Sequence, residues 1–164
     1  MNKIAHFLDT ILKYTLIFLL SLMVLDVSWQ VFSRFVLHSP SSFTEELANF
    51  LLIWIGLLGA SYAVRTKAHL GIDYIIMHLG GKKKTVLQII GHMCVFGFAF
   101  FVMFIGGIKL MLLTLELNQT SAAMGIRMGL VYFVIPLSGF LIMFYSVFFI
   151  RESYGFLINN NSDR

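Results

Sequence analysis

Three polar residues recur every four positions in the first long apolar run of the chain, namely Asp26, Gln30 and Arg34, and Trp29 and Ser33 lie beside them. Residues four apart share one face of an α-helix, so the pattern predicts a helix with a polar face. In the middle of a bilayer a carboxylate costs at least about 3 kcal/mol unless it is paired, hydrated or neutral. Three interpretations follow: a structural hydrogen bond within the chain, contact with a partner subunit, and proton coupling through Asp26.

A second pattern consists of small residues in the next apolar run, where Gly56, Gly59, Ala60 and Ala63 fall at helical spacing. Small side chains allow two helix backbones to approach closely in lipid, where packing rather than the hydrophobic effect drives association. The pattern therefore predicts a close-packed helix seam. It leaves open whether the neighbouring helix belongs to this chain or to another one.

Residues suited to catalysis or metal binding do not form complete sites. His69 and Asp73 are four apart and could supply half of a metal site, but no further ligand lies nearby, which favours a capping role. Of the five histidines only His92 lies clearly within an apolar run, which excludes a bis-histidine haem site. Nucleotide-binding and hydrolase motifs are absent. We therefore predict a protein that is not an enzyme, with no catalytic, cofactor-binding or metal-binding residues.

Composition assigns the chain to the membrane proteins. Of its 164 residues 59% are hydrophobic and only 12% are charged, and the mean hydropathy is +0.86. An average soluble domain is about 25% charged, so this chain carries too few ionic groups for a soluble surface. The net charge is +4, but the basic residues lie between apolar runs and form no basic stripe, which argues against nucleic-acid binding.

Four apolar runs are long enough to cross a bilayer as helices, which requires about 20 residues. We predict an all-α integral membrane protein with four transmembrane helices and a short interfacial segment before the second helix. Residues 1–164 would form a single membrane domain that ends in a polar tail at 159–164. The predicted spans are 14–37, 47–64, 86–115 and 130–150.

The distribution of basic residues sets the expected orientation. Nine lysines and arginines fall on one side of the four spans and three on the other. Because cytoplasmic segments carry the excess of basic residues, we expect both termini in the cytoplasm, with His69 and Asp73 in the interfacial loop on that side. The nine are Lys3, Lys13, Arg65, Lys67, Lys82, Lys83, Lys84, Arg151 and Arg164, and the three are Arg34, Lys109 and Arg127.

Short motifs succeed one another at defined spacing along nearly the whole chain. They are Arg34, the run Ser-Phe-Thr-Glu-Glu-Leu-Ala at 42–48, Trp54 with the small residues after it, Arg65, the His-Leu-Gly-Ile-Asp segment at 69–73, Gly125, Ile126, Tyr132, Pro136 and Leu137. This succession resembles the small, DctQ-like membrane subunit of tripartite ATP-independent periplasmic (TRAP) transporters. One difference is Phe43, which stands where the family usually has tryptophan, so that the indole N–H donor is lost there.

The resemblance implies a bacterial inner-membrane protein that spans the membrane several times and has no cofactor. Transporters of this family import organic anions, such as sialic acid or C4-dicarboxylates, and are driven by a sodium gradient. A periplasmic substrate-binding protein captures the substrate, and a large membrane subunit moves it by an elevator motion. The small subunit packs one to one on the static scaffold of the large subunit and enlarges that frame. A phospholipid at the seam between the subunits is compatible with this arrangement.

Two acids, Glu45 and Glu46, fall in the first turn of the second predicted helix, where the helix dipole favours them. They would either cap this helix and pair with Arg34 or Lys109, or dock the binding protein. We expect the polar face of the first helix and the small face of the second to contribute to the seams with the large subunit. The candidate interface residues are Asp26, Trp29, Gln30, Ser33, Arg34, Glu45, Glu46, Trp54, Gly56, Gly59, Ala60 and Ala63.

Two other functions remain open on the residues alone. One is an independent proton-coupled small transporter that uses Asp26 as its coupling carboxylate. Such chains are usually shorter and have little of the loop that lies between Arg65 and Lys84. The other is a membrane anchor subunit of a different complex, and the missing haem ligands count against a respiratory version of it.

Overall fold

The computed structural model describes residues 3–39, 41–66 and 82–162, and this part of the chain is almost entirely helical. An isolated antiparallel bridge joins Thr120 and Arg127, and the described residues form no strand. The predicted all-α class is therefore confirmed. The elements are α1 (Lys3–Phe35), α2 (Ser42–Arg65), α3 (Lys82–Phe98), a π-helix (Ala99–Gly106), α4 (Gly107–Glu116), α5 (Met128–Tyr132) and α6 (Val134–Ser162).

Four helical stretches are long and apolar enough to cross a membrane, as predicted. They are His6–Phe35, Ser42–Arg65, Thr85–Glu116 and Met128–Arg151. The first begins before the predicted start at Tyr14, because the charged residues Asp9 and Lys13 interrupt the apolar run without interrupting the helix. The earlier start also moves Asp26 away from the middle of the span and closer to its Phe35 end.

The spans alternate in direction, so the bundle has two ends. The start of α1 meets the end of α2, where Arg65 binds Asp9, and we call this the Asp9 end. The start of α2 meets the segment before α5, where Ser121 binds Glu46, and we call this the Glu46 end. The end of the fourth span returns to the Asp9 end, because Tyr145 also binds Asp9.

The core lies where α2, α3, the π-helix and α6 meet. Leu58, Ala99, Val134 and Tyr145 are almost fully buried there. In contrast, α1 packs mainly along α2 and leaves large apolar side chains such as Phe18 exposed. In the described residues the outer surface is therefore suited to lipid or to a protein partner rather than to water.

Glycines of the last two spans allow these two helices to approach each other closely. A Cβ atom added to Gly139 would lie 2.8 Å from the Cβ of Met103 and 3.0 Å from the amide nitrogen of Phe104. A Cβ atom added to Gly107 would lie 2.9 Å from the Cδ of Pro136. The third and fourth spans therefore pack on each other through positions that have no room for a side chain.

The third and fourth spans are both irregular helices. The third changes from α to π geometry over Ala99–Gly106 and then returns to α geometry. The fourth is divided at Phe133, three residues before Pro136. Because the proline nitrogen cannot donate to the carbonyl of Tyr132, the hydrogen-bond ladder of an α-helix is interrupted at this point.

Candidate functional site

A polar cluster at the Asp9 end joins the first, second and fourth spans. The Nε of Arg65 donates to Oδ2 of Asp9 at 2.7 Å, and the hydroxyl of Tyr145 donates to Oδ1 of the same carboxylate at 2.9 Å. The guanidinium carbon of Arg65 also lies 6.0 Å from the ring centre of Phe149. Both carboxylate oxygens of Asp9 are thus bound, so the cluster fixes three helices relative to one another.

A second polar cluster, at the Glu46 end, joins α2 to the segment between α4 and α5. The carboxylate of Glu46 accepts hydrogen bonds from the hydroxyl of Ser121 and from three consecutive backbone amides. The amide of Ala122 donates to Oε1 at 2.9 Å, and those of Ala123 and Met124 donate to Oε2 at 3.0 and 2.9 Å. In the described residues Glu46 therefore binds this segment rather than Arg34 or Lys109, the partners considered from the sequence.

The segment that receives Glu46 is a small hairpin, residues 119–128, which we call the outer hairpin. Its two sides are joined by hydrogen bonds from the amide of Ser121 to the carbonyl of Ile126 and from the amide of Met128 to the carbonyl of Gln119, both at 2.9 Å. Gly125 adopts a φ of +66°, a conformation that favours glycine, and its amide donates to the carbonyl of Ser121 at 3.1 Å. The turn between them presents its amides to Glu46.

Two side chains of α2 are used in contacts with the fourth span. The indole nitrogen of Trp54 donates to the carbonyl of Val131 at 3.1 Å, close to the interruption at Phe133. The hydroxyl of Ser61 donates to the carbonyl of Ser138 at 3.2 Å. Trp54, a candidate for the interface with another subunit, is half-buried and already holds two spans of this chain together.

The opposite face of α2 is open. A Cβ atom added to Gly56 or Gly59 would have no atom of the chain within 4 Å. Ala60 is exposed on the same face, and Asn49 and Glu45 are exposed closer to the Glu46 end. Glycines and alanines that allow close packing are thus present on a face that no other described helix of this chain covers.

The polar face predicted for the first helix is divided between buried and exposed positions. Asp26 is only 8% exposed and Ser33 only 3%, and the helix that carries them packs mainly on α2. Gln30 is half-buried, whereas Trp29 and Arg34 are exposed. The Oδ2 atom of Asp26 has no hydrogen-bond partner in the described residues. The five residues therefore do not form one continuous surface.

Of the remaining predicted residues, some lie within the part of the chain that the structure describes and two lie outside it. Lys82, Lys83 and Lys84 form the start of α3, and Ala63 is half-buried near the end of α2. His69 and Asp73 lie outside the described residues. Across the described ranges, no three histidine, cysteine, aspartate or glutamate side chains approach closely enough to hold a metal ion.

Three residues at the polar clusters were not identified from the sequence: Asp9, Tyr145 and Ser121. Asp9 and Tyr145 are 136 positions apart, and Ser121 and Glu46 are 75 apart. The available signal for Asp9 was its charge within an otherwise apolar helix, because such a group requires a partner. Ser121 carried no comparable signal.

Comparison with known proteins identifies the family. Residues 23–154 match the family model of the DctQ component of tripartite ATP-independent periplasmic transporters. A protein of Haemophilus influenzae assigned as a TRAP transporter small permease is 28% identical over 142 residues, which cover 87% of this chain and 86% of that protein.

Two further relatives carry substrate names. The C4-dicarboxylate TRAP transporter small permease protein DctQ of Rhodobacter capsulatus is 30% identical over 112 residues, covering 68% of this chain and 48% of that protein. The sialic acid TRAP transporter permease protein SiaT of Haemophilus influenzae is 38% identical over 76 residues, covering 44% of this chain and 12% of that protein.

The family match covers most of the chain, and the four apolar helices agree with it. The polar groups described above bind one another across helices, as expected of a structural role rather than a catalytic one. The chain therefore belongs to the DctQ component of TRAP transporters and is a small permease subunit, a multi-pass inner-membrane protein and not an enzyme.

Proposed function

We propose that this chain is the non-catalytic small subunit of a sodium-coupled TRAP transporter that imports an organic anion, of the sialic acid or C4-dicarboxylate class. It packs one to one on the static scaffold of a large elevator-type membrane subunit and enlarges that frame. A periplasmic binding protein delivers the substrate to the assembled complex. The substrate names of the relatives support the anion class, and the alignment with part of the longer SiaT permease supports the partnership.

The observation that carries the proposal is the open face of α2. Gly56 and Gly59 offer bare backbone to the outside of the chain. Against lipid this arrangement has no packing advantage, whereas a helix of another subunit could approach the backbone closely. Asn49 and Glu45 extend the same face with exposed polar groups that a protein neighbour could satisfy better than acyl chains.

The polar clusters support a static rather than a transporting role. The carboxylates of Asp9 and Glu46 are occupied by donors from other elements of the same chain. A group that is fixed in this way is suited to holding helices in place, and a fixed body is what a moving transport domain requires as its counterpart. Asp26, the coupling residue of the alternative transporter, is buried rather than open to an aqueous path.

The orientation proposed for the subunit places the Asp9 end in the cytoplasm. The basic residues favour this direction, since nine of twelve fall on that side. The Glu46 end with the outer hairpin then faces the periplasm, where the binding protein arrives. Impermeant labelling of single cysteines placed at Ser39 and Ser153 in a variant lacking Cys94 would report the two sides directly.

Uptake by reconstituted proteoliposomes tests the proposed function. We expect sodium-driven uptake of the organic anion only when this chain, the large subunit and the binding protein are all present. The control vesicles contain this chain alone, or the large subunit and the binding protein without it. Proton-driven transport by this chain alone would contradict the proposal and support the Asp26 transporter instead.

The seam assigned to α2 is tested by Gly59→Leu. The added side chain would project from the open face, so the chain itself should fold normally while the complex with the large subunit weakens by at least about tenfold. Affinity is measured by co-purification and titration in detergent. Gly97→Leu is the matched control, because an added Cβ there also meets no atom within 4 Å but lies on α3. Unchanged affinity in Gly59→Leu would exclude this face from the seam.

A further inference from the structure

We propose that the outer hairpin is a carboxylate-binding site in its own right, and that its resident ligand is the side chain of Glu46. The inference does not depend on the transport function, because it concerns only what the hairpin recognises. Its chemical class of ligand is a carboxylate group, presented in this chain by a residue of α2.

The donor set matches a carboxylate. Four donors converge on the two oxygens of Glu46: the amide of Ala122 on Oε1, and the amides of Ala123 and Met124 with the Ser121 hydroxyl on Oε2. Consecutive backbone amides that point into one concavity form an anion-binding nest. Hydrogen bonds from such amides to an ionised oxygen are stronger than those between neutral groups. A neutral amide in place of the carboxylate would keep one accepting oxygen and turn its N–H groups toward the donors on the other side.

The shape of the hairpin does not rely on Glu46. Its sides are closed by the bonds of Ser121 to Ile126 and of Met128 to Gln119, and the turn is completed by Gly125 with its positive φ. The amide of Gln119 donates to the carbonyl of Thr114 at 3.1 Å, which fixes the hairpin on the end of α4. All these contacts lie within the segment 114–128, so the nest should persist when the Glu46 side chain is removed.

The nest is also backed by a close helix contact. A Cβ added to Gly129 would lie 3.0 Å from the carbonyl oxygen of Met111 and 2.7 Å from Cδ2 of Leu115, so the start of α5 rests directly on α4. This contact supports the hairpin on the side of α4, whereas the three nest amides face Glu46 of α2. The hairpin is therefore a receptor fixed to one helix, and Glu46 is its ligand from another.

Amide-resolved hydrogen exchange on the full chain in micelles tests the proposal with Glu46→Ala. Exchange at Ala122 and Ala123 should become about tenfold faster, because their acceptor is lost, whereas the Met124 amide keeps the Ser121 hydroxyl as a second acceptor at 3.2 Å and should change less. The amides of Ser121 and Gly125, whose acceptors lie within the hairpin, should keep their protection. Sodium formate should then restore slow exchange at Ala122 and Ala123, since formate can occupy the space left by the side chain.

Two matched variants separate this site from general effects. Glu46→Gln keeps one accepting oxygen, so only the amides that face its NH2 group should exchange faster, and formate should not rescue them because the glutamine side chain still fills the space. Glu45→Ala changes the exposed neighbouring acid and should leave exchange in the hairpin unchanged. Sodium chloride at the same concentration as formate controls for ionic strength.

Several outcomes would overturn the proposal. Loss of protection at Ser121 and Gly125 in both Glu46 variants would show that the hairpin depends on Glu46 and is not a preformed receptor. Equal rescue of Glu46→Ala by chloride would show a site for any anion rather than for a carboxylate. Persistent slow exchange at Ala122 and Ala123 in Glu46→Ala without formate would show that Glu46 is not their acceptor.

Discussion

Replacing Gly139 with leucine should leave the chain without a folded bundle. A Cβ at this position would lie 2.8 Å from the Cβ of Met103, 3.0 Å from the amide nitrogen of Phe104 and 3.2 Å from the carbonyl oxygen of Ala99. Two of these three neighbours are backbone atoms, which cannot move aside by changing a rotamer. Since small additions to a packed core already cost about 1–3 kcal/mol, a whole leucine side chain should cost more than about 4 kcal/mol.

The loss is measured as the recovery of monodisperse, helical chain in detergent and as resistance to denaturation by SDS. Gly59→Leu, the same exchange on the open face of α2, should keep both properties and serves as the control. A Gly139→Leu chain as stable as the unmodified one would mean that the third and fourth spans do not pack through Gly139.

Removing the carboxylate of Asp9 should produce the second large effect. In Asp9→Ala the guanidinium of Arg65 and the hydroxyl of Tyr145 lose their shared acceptor. Breaking a buried pair costs about 3–5 kcal/mol, but the two charged side chains here remain 18% and 21% exposed, so a loss of about 2 kcal/mol is expected. Tyr145→Phe removes one neutral donor to the carboxylate and should cost about 1 kcal/mol.

The free energies of unfolding come from reversible SDS denaturation in mixed micelles. The double variant Asp9→Ala with Tyr145→Phe should be less destabilised than the sum of the single variants, because both changes remove the same hydrogen bond. Strict additivity would indicate that the hydroxyl of Tyr145 contributes to stability independently of Asp9. Thr10→Ala is a suitable control, since the Thr10 hydroxyl binds only the His6 carbonyl in its own helix.

The sequence was sufficient for the number and class of the membrane helices. Length and hydropathy determine whether a helix can span a bilayer, and both are local properties. They were less reliable for the helix starts. Residues 3–13 were left out of the first span because their charges lower the local hydropathy, but the helix includes them, and Asp9 in this part contacts Arg65 and Tyr145.

Close packing illustrates what a helical pattern leaves undetermined. The regular spacing of Gly56 and Gly59 indicated a seam, and within this chain that face is open. Gly107 and Gly139, two of the glycines that do meet other helices, follow no such pattern. Gly107 meets Pro136 and Gly139 meets Met103. These pairs depend on how two irregular helices cross, and the sequence pattern of one helix does not determine that crossing.

The polar clusters were hidden for a related reason. Glu46 was recognised as important, but its partners were sought among charged residues. The actual partners are a serine and three backbone amides, and amides are present at every position except proline. Only the turn of the outer hairpin makes them a site. The resemblance identified the protein family correctly, but it gave no information about the contact between Glu46 and the outer hairpin.

The π-helix of the third span makes the number of residues in that span matter as much as their hydropathy. Successive residues of an α-helix are rotated by about 100° around its axis, and a π-turn accommodates one residue more before closing its hydrogen bond. If the same residues wound as one continuous α-helix, the extra residue would swing one half of the span by about a third of a turn relative to the other half. Met103 could then face Gly139, or Gly107 could face Pro136, but not both. The π geometry is consequently what keeps both contacts with this number of residues, although lipid would accept a continuous α-helix of the same composition.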